Sequence, residues 1–381
     1  MLIKNGTIHD GKGSIFYNYD ILIEDGKIKE IGKNFNAGDS SEIYDASNRH
    51  IMPGFIESMN IWGCTGPGWG DNDLQEHSDP LTPQLNVVYS FDPDNMMFQR
   101  VFEYGITSLA VTPSLSNVLS GNAAVFKTYG YNAYNMLIKE KVGLVGSVTR
   151  ATTRNYKDRG ITPMTKMGIF SLLKETFKEA EDYSQSNTYN SKLYSVKEVI
   201  DNDKKLFINC NTASEMFNVY NLFKQFKVDP IIMGAYGINE ELVDTILNND
   251  YSVIIGDVIN GISEASKKID YKLIEKLVKN EALVAISSTG DRMSSGKETL
   301  LWNAIMFYKN GINSENVLKM ITYNPAKILG VENRVGSIEV GKDADIVVWS
   351  NNPIESYNSK AEAVFINGEN IINVWRTGSC W

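Results

Sequence analysis

Short apolar runs separated by turn residues mark both ends of the chain. Near the start, the run at 21–23 precedes Asp25-Gly26, a dipeptide typical of hairpin turns. Near the end, the runs at 345–349 and 363–366 precede Asn367-Gly368, which is the same kind of signal. The pattern predicts β-strands at both ends of the chain, and the simplest packing joins them in one small β-domain.

The middle of the chain alternates between apolar strands and segments with helical periodicity. Strands are predicted at 106–111, 206–208, 231–232, 253–256 and 283–286. Helices are predicted to open at Thr162-Pro163 and at Asn239 and to cover 300–308, and Gly330 is a predicted helix stop. Short apolar strands joined by helices indicate a buried parallel sheet. Roughly 280 residues of this pattern fit a (β/α)8 barrel, which typically needs about 250. A doubly wound sheet is the alternative, but no G-x-G-x-x-G follows the first strand.

The composition is that of an ordinary globular protein. The 381 residues are 43% hydrophobic and 22% charged, and the net charge is −9. An acidic balance without a basic run argues against nucleic acid as a partner. No apolar run is long enough to span a membrane, and no signal-peptide pattern opens the sequence. The three cysteines are too widely spaced for a disulfide framework or a zinc motif, so we expect a cytoplasmic protein.

Four blocks of the sequence resemble the amidohydrolase superfamily, especially its imidazolonepropionase-like branch. They are PGFIE at 53–57, SDPLTP at 78–83, TPMTKMG at 162–168, and ITYNPAKILG at 321–330 leading into VGSIEVGKDADIV at 335–347. The resemblance covers nearly the whole chain, and the last block is the most specific. It implies an α/β fold with a (β/α)8 barrel at 53–330. It also implies a small β-sandwich domain composed of residues 1–52 and 331–381.

The metal-binding positions implied by this resemblance carry no usual ligand. The superfamily's first barrel strand ends in a His-x-His pair, which here falls on Met59 and Ile61, two residues expected to share one face of the strand. The remaining ligand positions fall on Asn209, Asn211, Gly234 and Thr289. We expect these positions to line a pocket without a catalytic metal. Zinc or another divalent cation is the family norm, since imidazole ligands and an open coordination position activate water, but no cofactor is expected here.

Two lysine positions of the superfamily also have counterparts. A lysine that bridges two metals in some relatives falls near Leu144. Lys127, in the segment AAVFKT, lies in a block that resembles a lysine-containing block of the branch, and the sequence assigns it no role.

Other polar residues are weaker candidates for a replacement site. His77 lies in the loop after the first barrel strand, among Asp71, Asp73, Glu76 and Asp79, whose oxygens suit a hard cation. A solvated polar loop is the simpler interpretation of this segment.

A catalytic base and a nucleophile can also be sought near the lost ligand positions. Asp291 is the candidate general base, because it follows the lost aspartate position by two residues. Cys210 lies at a strand end, where a buried, inert cysteine is favoured over a nucleophile. His9 and His50 are interpreted as structural histidines.

Three functions are compatible with this sequence. By resemblance the chain is a hydrolase of non-peptide or cyclic C–N amide bonds, but the missing ligands predict that the metal-dependent activity is lost. The alternatives are a catalytically inactive barrel that binds a small molecule, or an assembly partner that forms a homo-oligomer or pairs with an active relative.

Overall fold

The computed structural model describes residues 1–36, 42–65, 72–76, 78–184, 188–259, 269–288 and 296–372. Within these ranges the chain forms two eight-stranded β-sheets and ten α-helices. One sheet is built from both ends of the chain, and the other from the residues between them. Among the helices of these ranges, none is long and apolar enough to cross a membrane.

The terminal sheet combines strands from the two ends of the chain. Its strands are β1 (Leu2–His9), β2 (Ile15–Glu24), β3 (Lys27–Gly32), β4 (Ile43–Asp45), β5 (His50–Pro53), β14 (Ile346–Trp349), β15 (Ala361–Ile366) and β16 (Glu369–Asn370). The strand order is β16-β15-β14-β5-β1-β2-β3, with β4 paired to β1. The antiparallel pair of β14 and β5 is the point where the two ends of the chain meet.

The second sheet contains eight strands in sequence order. They are β6 (Phe55–Asn60), β7 (Ile106–Val111), β8 (Leu119–Lys127), β9 (Leu137–Ser147), β10 (Lys205–Cys210), β11 (Pro230–Gly234), β12 (Val253–Ile255) and β13 (Val284–Ile286). Each strand pairs with the next, and β13 returns to β6 through side-chain hydrogen bonds that bring the sheet close to a closed barrel. The predicted strands from 106 to 286 all lie within or overlap these elements.

Helices cover the outside of this sheet. They are α1 (Ala133–Met136), α2 (Arg150–Lys157), α3 (Lys166–Glu181), α4 (Ser191–Ile200), α5 (Ala213–Lys224), α6 (Glu240–Asn248), α7 (Tyr271–Lys279), α8 (Thr299–Lys309), α9 (Ser314–Ile321) and α10 (Tyr323–Leu329). Asn239 caps α6 and Gly330 ends α10 in the left-handed conformation, as predicted.

The prediction that a helix begins at Thr162-Pro163 was wrong. Helix α3 begins at Lys166, and its N-cap is Thr165, whose side chain accepts a hydrogen bond from the backbone N–H of Gly168. A threonine side chain three residues before a free N–H satisfies a donor at the helix start, so the later threonine is the better cap.

The barrel is TIM-like but not uniformly parallel. Strand β8 runs antiparallel to both β7 and β9, whereas β9 to β13 are mutually parallel and β6 is parallel to β7. Between β8 and β9 lies only the short helix α1. The expectation of a parallel sheet was therefore wrong at β8, a segment for which the sequence pattern predicted no strand.

Two apolar clusters occupy the two faces of the barrel sheet. The inner cluster takes residues from every strand of the barrel and includes Val145, Phe207, Met233, Ile254 and Ala285. The outer cluster takes the alternate residues of the strands together with the buried faces of the helices. Because side chains alternate across a strand, the two clusters tell which residues point into the barrel.

Buried polar contacts join the terminal sheet to the barrel. The Lys127 ammonium on β8 lies 3.0 Å from a carboxylate oxygen of Asp343 and 2.5 Å from one of Asp345, and all three side chains are buried. His9 on β1 contacts Glu315 on α9 through Nδ1 at 2.7 Å and His50 through Nε2 at 2.8 Å. Because β8 is antiparallel to its neighbours, Lys127 lies beside Ser108 near the start of β7, away from the carboxyl ends of the parallel strands, where (β/α)-barrel sites are built.

Candidate functional site

The carboxyl ends of β9 and β10 carry neutral polar side chains. In β9, Val145 belongs to the inner cluster and Ser147 is two residues further on; in β10, Phe207 and Asn209 have the same relation. Asn209 pairs in register with Ser147. The period of two therefore places Ser147 and Asn209 inside the barrel, one layer nearer its mouth than the apolar cluster.

Three of the six proposed site positions converge on one another. The carboxamide oxygens of Asn209 and Asn211 each lie 2.9 Å from the point where a Cβ on Gly234 would stand, and so does the backbone oxygen of Cys210. The two amide oxygens are therefore no more than 5.8 Å apart, which is twice 2.9 Å. The structure thus brings together Asn209, Asn211 and Gly234.

Position 234 requires a glycine, both because of its backbone φ angle and because no space is left for a side chain. Its φ is +85°, in the region that L-residues disfavour, and a Cβ would meet three oxygens at 2.9 Å. A histidine side chain at this position would require β10 or β11 to move. The position at which the sequence resemblance predicted a metal ligand is thus a tight backbone contact.

Replacement of Gly234 by alanine is expected to lower the free energy of unfolding by about 2 kcal/mol, because the positive φ and the crowded Cβ both add to the cost. Gly341→Ala is the matched control, since Gly341 has φ +90° with nothing within 4 Å of its Cβ position. Denaturant unfolding of both variants separates the backbone term from the steric term. An equal decrease in the free energy of unfolding of the two variants would contradict the steric argument. It would show that the oxygens around Gly234 move aside without an energetic penalty.

Met59 and Ile61 do not share one face, so that part of the sequence prediction was wrong. The pairing of β6 with β7 is irregular between Glu57 and Asn60, and β6 ends at Asn60. Met59 packs in the inner cluster, whereas Ile61 packs in the outer cluster. An irregularity in the ladder breaks the alternation on which the prediction depended.

Glu57 is a buried carboxyl at the seam between β6 and β13. Its Oε1 accepts a hydrogen bond of 2.7 Å from the Ser287 hydroxyl, and its Oε2 accepts one of 2.9 Å from the Ser288 backbone N–H. Burial raises the pKa of Glu57 from 4.5 to about 7, although hydrogen bonds from Ser288, Ser287 and Met59 act in the opposite direction. Sequence reasoning missed this group, but a glutamate inside an otherwise uncharged strand was the available signal.

Glu215 holds the start of α5 beside Asn211. Its Oε2 accepts hydrogen bonds from the backbone N–H groups of Asn211, at 2.7 Å, and Thr212, at 3.1 Å, and Thr212 caps the helix in return. The Lys166 ammonium forms an ion pair with the same carboxylate. Asn211 therefore has a fixed backbone, and the charge of Glu215 is matched by a lysine.

Cys210 does not provide a reactive thiol. The side chain is fully buried in the outer cluster, and burial followed by the nearby Glu215 raises its pKa well above the ordinary value. A thiol that resists ionisation is a poor nucleophile.

Several candidates from the sequence lie outside the described residues. They are Asp71, His77, Thr289 and Asp291. In the same acidic loop, Asp79 forms an ion pair with Lys192 and accepts the backbone N–H of Leu81 at 2.8 Å. Within the described ranges, no group of three or more His, Cys, Asp or Glu side chains is arranged to hold a metal ion.

The two lysine positions have structural explanations. Leu144 packs in the outer cluster, so its side chain points away from the barrel interior. Lys127 forms the buried ion pairs with Asp343 and Asp345 that join β8 to the terminal sheet.

The described donor set does not fit a hydrolytic divalent metal. Such a site keeps three protein ligands, usually imidazoles, carboxylates or thiolates. Here the corresponding atoms are the Met59 thioether within an apolar cluster, two neutral carboxamides and a glycine with no side chain. Ile61 points to the opposite face. No step of hydrolysis can be assigned to a metal held by these residues.

Comparison with known proteins identifies the relatives of this fold. The model of the amidohydrolase family matches residues 241–379. The chain is 45% identical over 411 aligned positions to a 5-methylthioadenosine/S-adenosylhomocysteine deaminase of Pyrococcus furiosus, covering 98% of this chain and 95% of the deaminase. It is 23% identical to the amidohydrolase tasK of Hapsidospora irregularis, of which the alignment covers 39% of the length and 90% of this chain.

A solved structure supports the same relationship. The crystal structure of an amidohydrolase from Thermotoga maritima superposes with a TM-score of 0.89 at 27% sequence identity, covering 97% of this chain and 99% of that one. The resemblance inferred from the four sequence blocks is thereby confirmed. With a relative 45% identical across nearly its whole length, this chain belongs to the amidohydrolase family.

Proposed function

We propose that this chain is an amidohydrolase-family protein that has lost metal-dependent hydrolysis of C–N bonds and binds a small molecule at the mouth of its barrel. The observation that carries the proposal is the replacement of the ligand set by Met59, Asn209, Asn211 and Gly234. Asn209 and Asn211 offer neutral amides, and Gly234 has no space for a side chain. Amides in place of imidazoles remove the ligands that make a bound water acidic near neutral pH.

We also propose the domain division that the sequence suggested. Residues 1–52 and 331–381 would form a small β-sandwich domain, and residues 53–330 would form the barrel. The proposal is supported by an apolar cluster that belongs to the terminal sheet and includes Ile3, Ile21, Val348 and Phe365. A domain with its own core is expected to bury such a cluster.

Elemental analysis of the purified full chain tests the loss of the metal. The protein is produced with zinc, iron and manganese available and is dialysed gently. We expect less than about a tenth of a metal per chain, since folding with so few anionic or imidazole donors supplies little binding energy. The same preparation, supplied with zinc, is expected to leave a panel of linear and cyclic amides intact.

Near-stoichiometric zinc, iron or manganese would contradict the proposal. It would show that residues other than these four positions hold the metal, and Asp291 and the acidic loop would become the first positions to mutate. Hydrolysis of any amide that is lost on chelation and restored by metal would have the same meaning.

A further inference from the structure

Two carboxamides at the barrel mouth have no partner within the described structure. Asn209 is 7% exposed, and neither its side chain nor that of Asn211 makes a hydrogen bond to another described residue. Buried amides in proteins are nearly always hydrogen-bonded, to protein or to another molecule. Each carboxamide offers one acceptor and two donors. The pair therefore has unused hydrogen-bonding capacity close to Gly234.

The carboxylate that contacts the backbone of the pair is matched by an opposite charge. The nearest carboxylate on α5, that of Glu215, is occupied by Lys166 and two backbone N–H groups. The neighbouring hydroxyls of Ser147 and Thr149 lie 3.1 Å apart and bond to each other. A charged ligand would lose its hydration without gaining an opposite charge, so an uncharged ligand is favoured.

The neighbours of Asn209 on the inner face of the barrel are apolar. Phe207 lies two residues before Asn209 on the same face of β10, and Met233, the in-register neighbour of Asn209 on β11, also belongs to the inner cluster. A ligand that reaches the amides therefore approaches apolar side chains as well. This combination of a few polar groups above an apolar surface is typical of small-molecule sites.

We propose that Asn209 and Asn211 form a binding site for a small uncharged molecule with an apolar body. This molecule carries a hydrogen-bond donor and an acceptor on the same carbon, as a primary carboxamide does. The two side chains bind this group by paired N–H···O hydrogen bonds and leave its C–N bond intact. The inference rests on the proposed function, because it requires a metal-free mouth.

Ligand-observed NMR on the full chain tests the site with matched probes. Benzamide has the required group and an apolar ring, benzoate is its charged isostere, and acetophenone keeps the acceptor but lacks the donor. We expect benzamide to bind at least about tenfold more tightly than benzoate, because the carboxylate is desolvated without a counter-charge. Acetophenone is expected to bind more weakly than benzamide, since it has no N–H group and leaves one asparagine amide oxygen unpaired.

Variants of the pair localise the binding. Asn209→Leu and Asn211→Leu are each expected to weaken benzamide binding by at least about fivefold, through the loss of one hydrogen bond. Asn218→Leu on the exposed face of α5 is the control and is expected to change nothing. Asn209→Asp keeps the shape of the side chain and is expected to weaken benzamide binding as well. Circular dichroism melting confirms that each variant is folded.

The outcomes separate this inference from the proposed function. Equal binding of benzamide and benzoate, absence of benzamide binding, or unchanged binding in folded Asn209→Leu and Asn209→Asp variants would overturn the inference, while a low metal content would leave the proposed function standing. A stoichiometric metal would overturn the proposed function, and the inference with it.

Discussion

Replacement of Lys127 by methionine is expected to lower the free energy of unfolding by about 3–5 kcal/mol, the range for removing one partner of a buried ion pair. The Lys127 ammonium lies 2.5 Å from Asp345 and 3.0 Å from Asp343, and all three side chains are nearly inaccessible to solvent. Asp343 retains Arg334, at 2.8 Å, but Asp345 would keep only the backbone N–H of Asn367, at 3.0 Å. Guanidinium unfolding followed by circular dichroism measures the loss.

Two comparisons make the result specific. Lys29→Met removes an exposed pair with Glu24 and is expected to leave the free energy of unfolding almost unchanged, because solvent screens the pair. The double variant Lys127→Met with Asp345→Asn is expected to recover part of the loss, because the amide removes the uncompensated charge. If the Lys127→Met variant were as stable as Lys29→Met, the buried ion pair would not stabilise the packing of β8 against the terminal sheet.

The role of Lys127 could not be predicted from its sequence block. Its partners Asp343 and Asp345 are more than 200 residues away in the chain, and no local pattern connects them. Resemblance to a lysine-containing block identified the position but not the contact. Only the folded sheet order, which sets β8 against the segment before β14, reveals a buried ion pair.

Most of the barrel strands, though not β8 and β9, were predictable because they are short and apolar on both faces. The runs at 231–232 and 253–256 lie within or overlap β11 and β12 for this reason. Strand direction was not predictable in the same way. The antiparallel β8 has nine buried residues, and its burial pattern is that of a parallel barrel strand.

The candidate site was only partly accessible from the sequence. Family resemblance located Asn209, Asn211 and Gly234, which do converge. It could not foresee that a ladder irregularity sends Ile61 to the outer face, since the period of two assumes an unbroken strand. Glu57 was overlooked because its block was interpreted only as a fold signature, although one acidic residue within the buried run 55–60 requires hydrogen-bonding partners.

Glu57 is expected to make the free energy of unfolding strongly dependent on pH. Its pKa is raised from 4.5 to about 7, so the folded state binds a proton more tightly than the unfolded chain does. Below about pH 4.5 both states are protonated at this residue. As pH rises from about 4.5 to 7 only the unfolded state has released the proton, and the free energy of unfolding therefore falls. The gap corresponds to about 3 kcal/mol, at about 1.4 kcal/mol for each pH unit.

The geometry accommodates a protonated Glu57. The Ser287 hydroxyl lies 2.7 Å from both Glu57 Oε1 and the Met59 carbonyl oxygen, and it has one proton to donate. When that proton goes to Met59, the Ser287 oxygen can accept the proton of the carboxylic acid. Oε2 still accepts the Ser288 N–H at 2.9 Å. Glutamine reproduces most of this neutral pattern, with its amide group donating to Ser287 and its oxygen accepting from Ser288. Only the hydrogen bond from the Met59 backbone N–H to Oε1, at 3.3 Å, loses its acceptor.

Glu57→Gln is therefore expected to remove the pH-dependent loss at this seam. Compared with the original chain, the variant should be similar in stability near pH 4.5 and more stable by up to about 3 kcal/mol above pH 7. Urea unfolding at intervals from pH 4.5 to 8 gives the difference between the two stability curves, in which the contributions of all other groups cancel. Glu179→Gln, on the exposed face of α3, is the control. Its free energy of unfolding should differ from that of the original chain by the same amount at every pH. A flat difference for Glu57→Gln would mean that the carboxyl is ionised in the folded protein at all these pH values, and that the β6–β13 seam stabilises a buried charge.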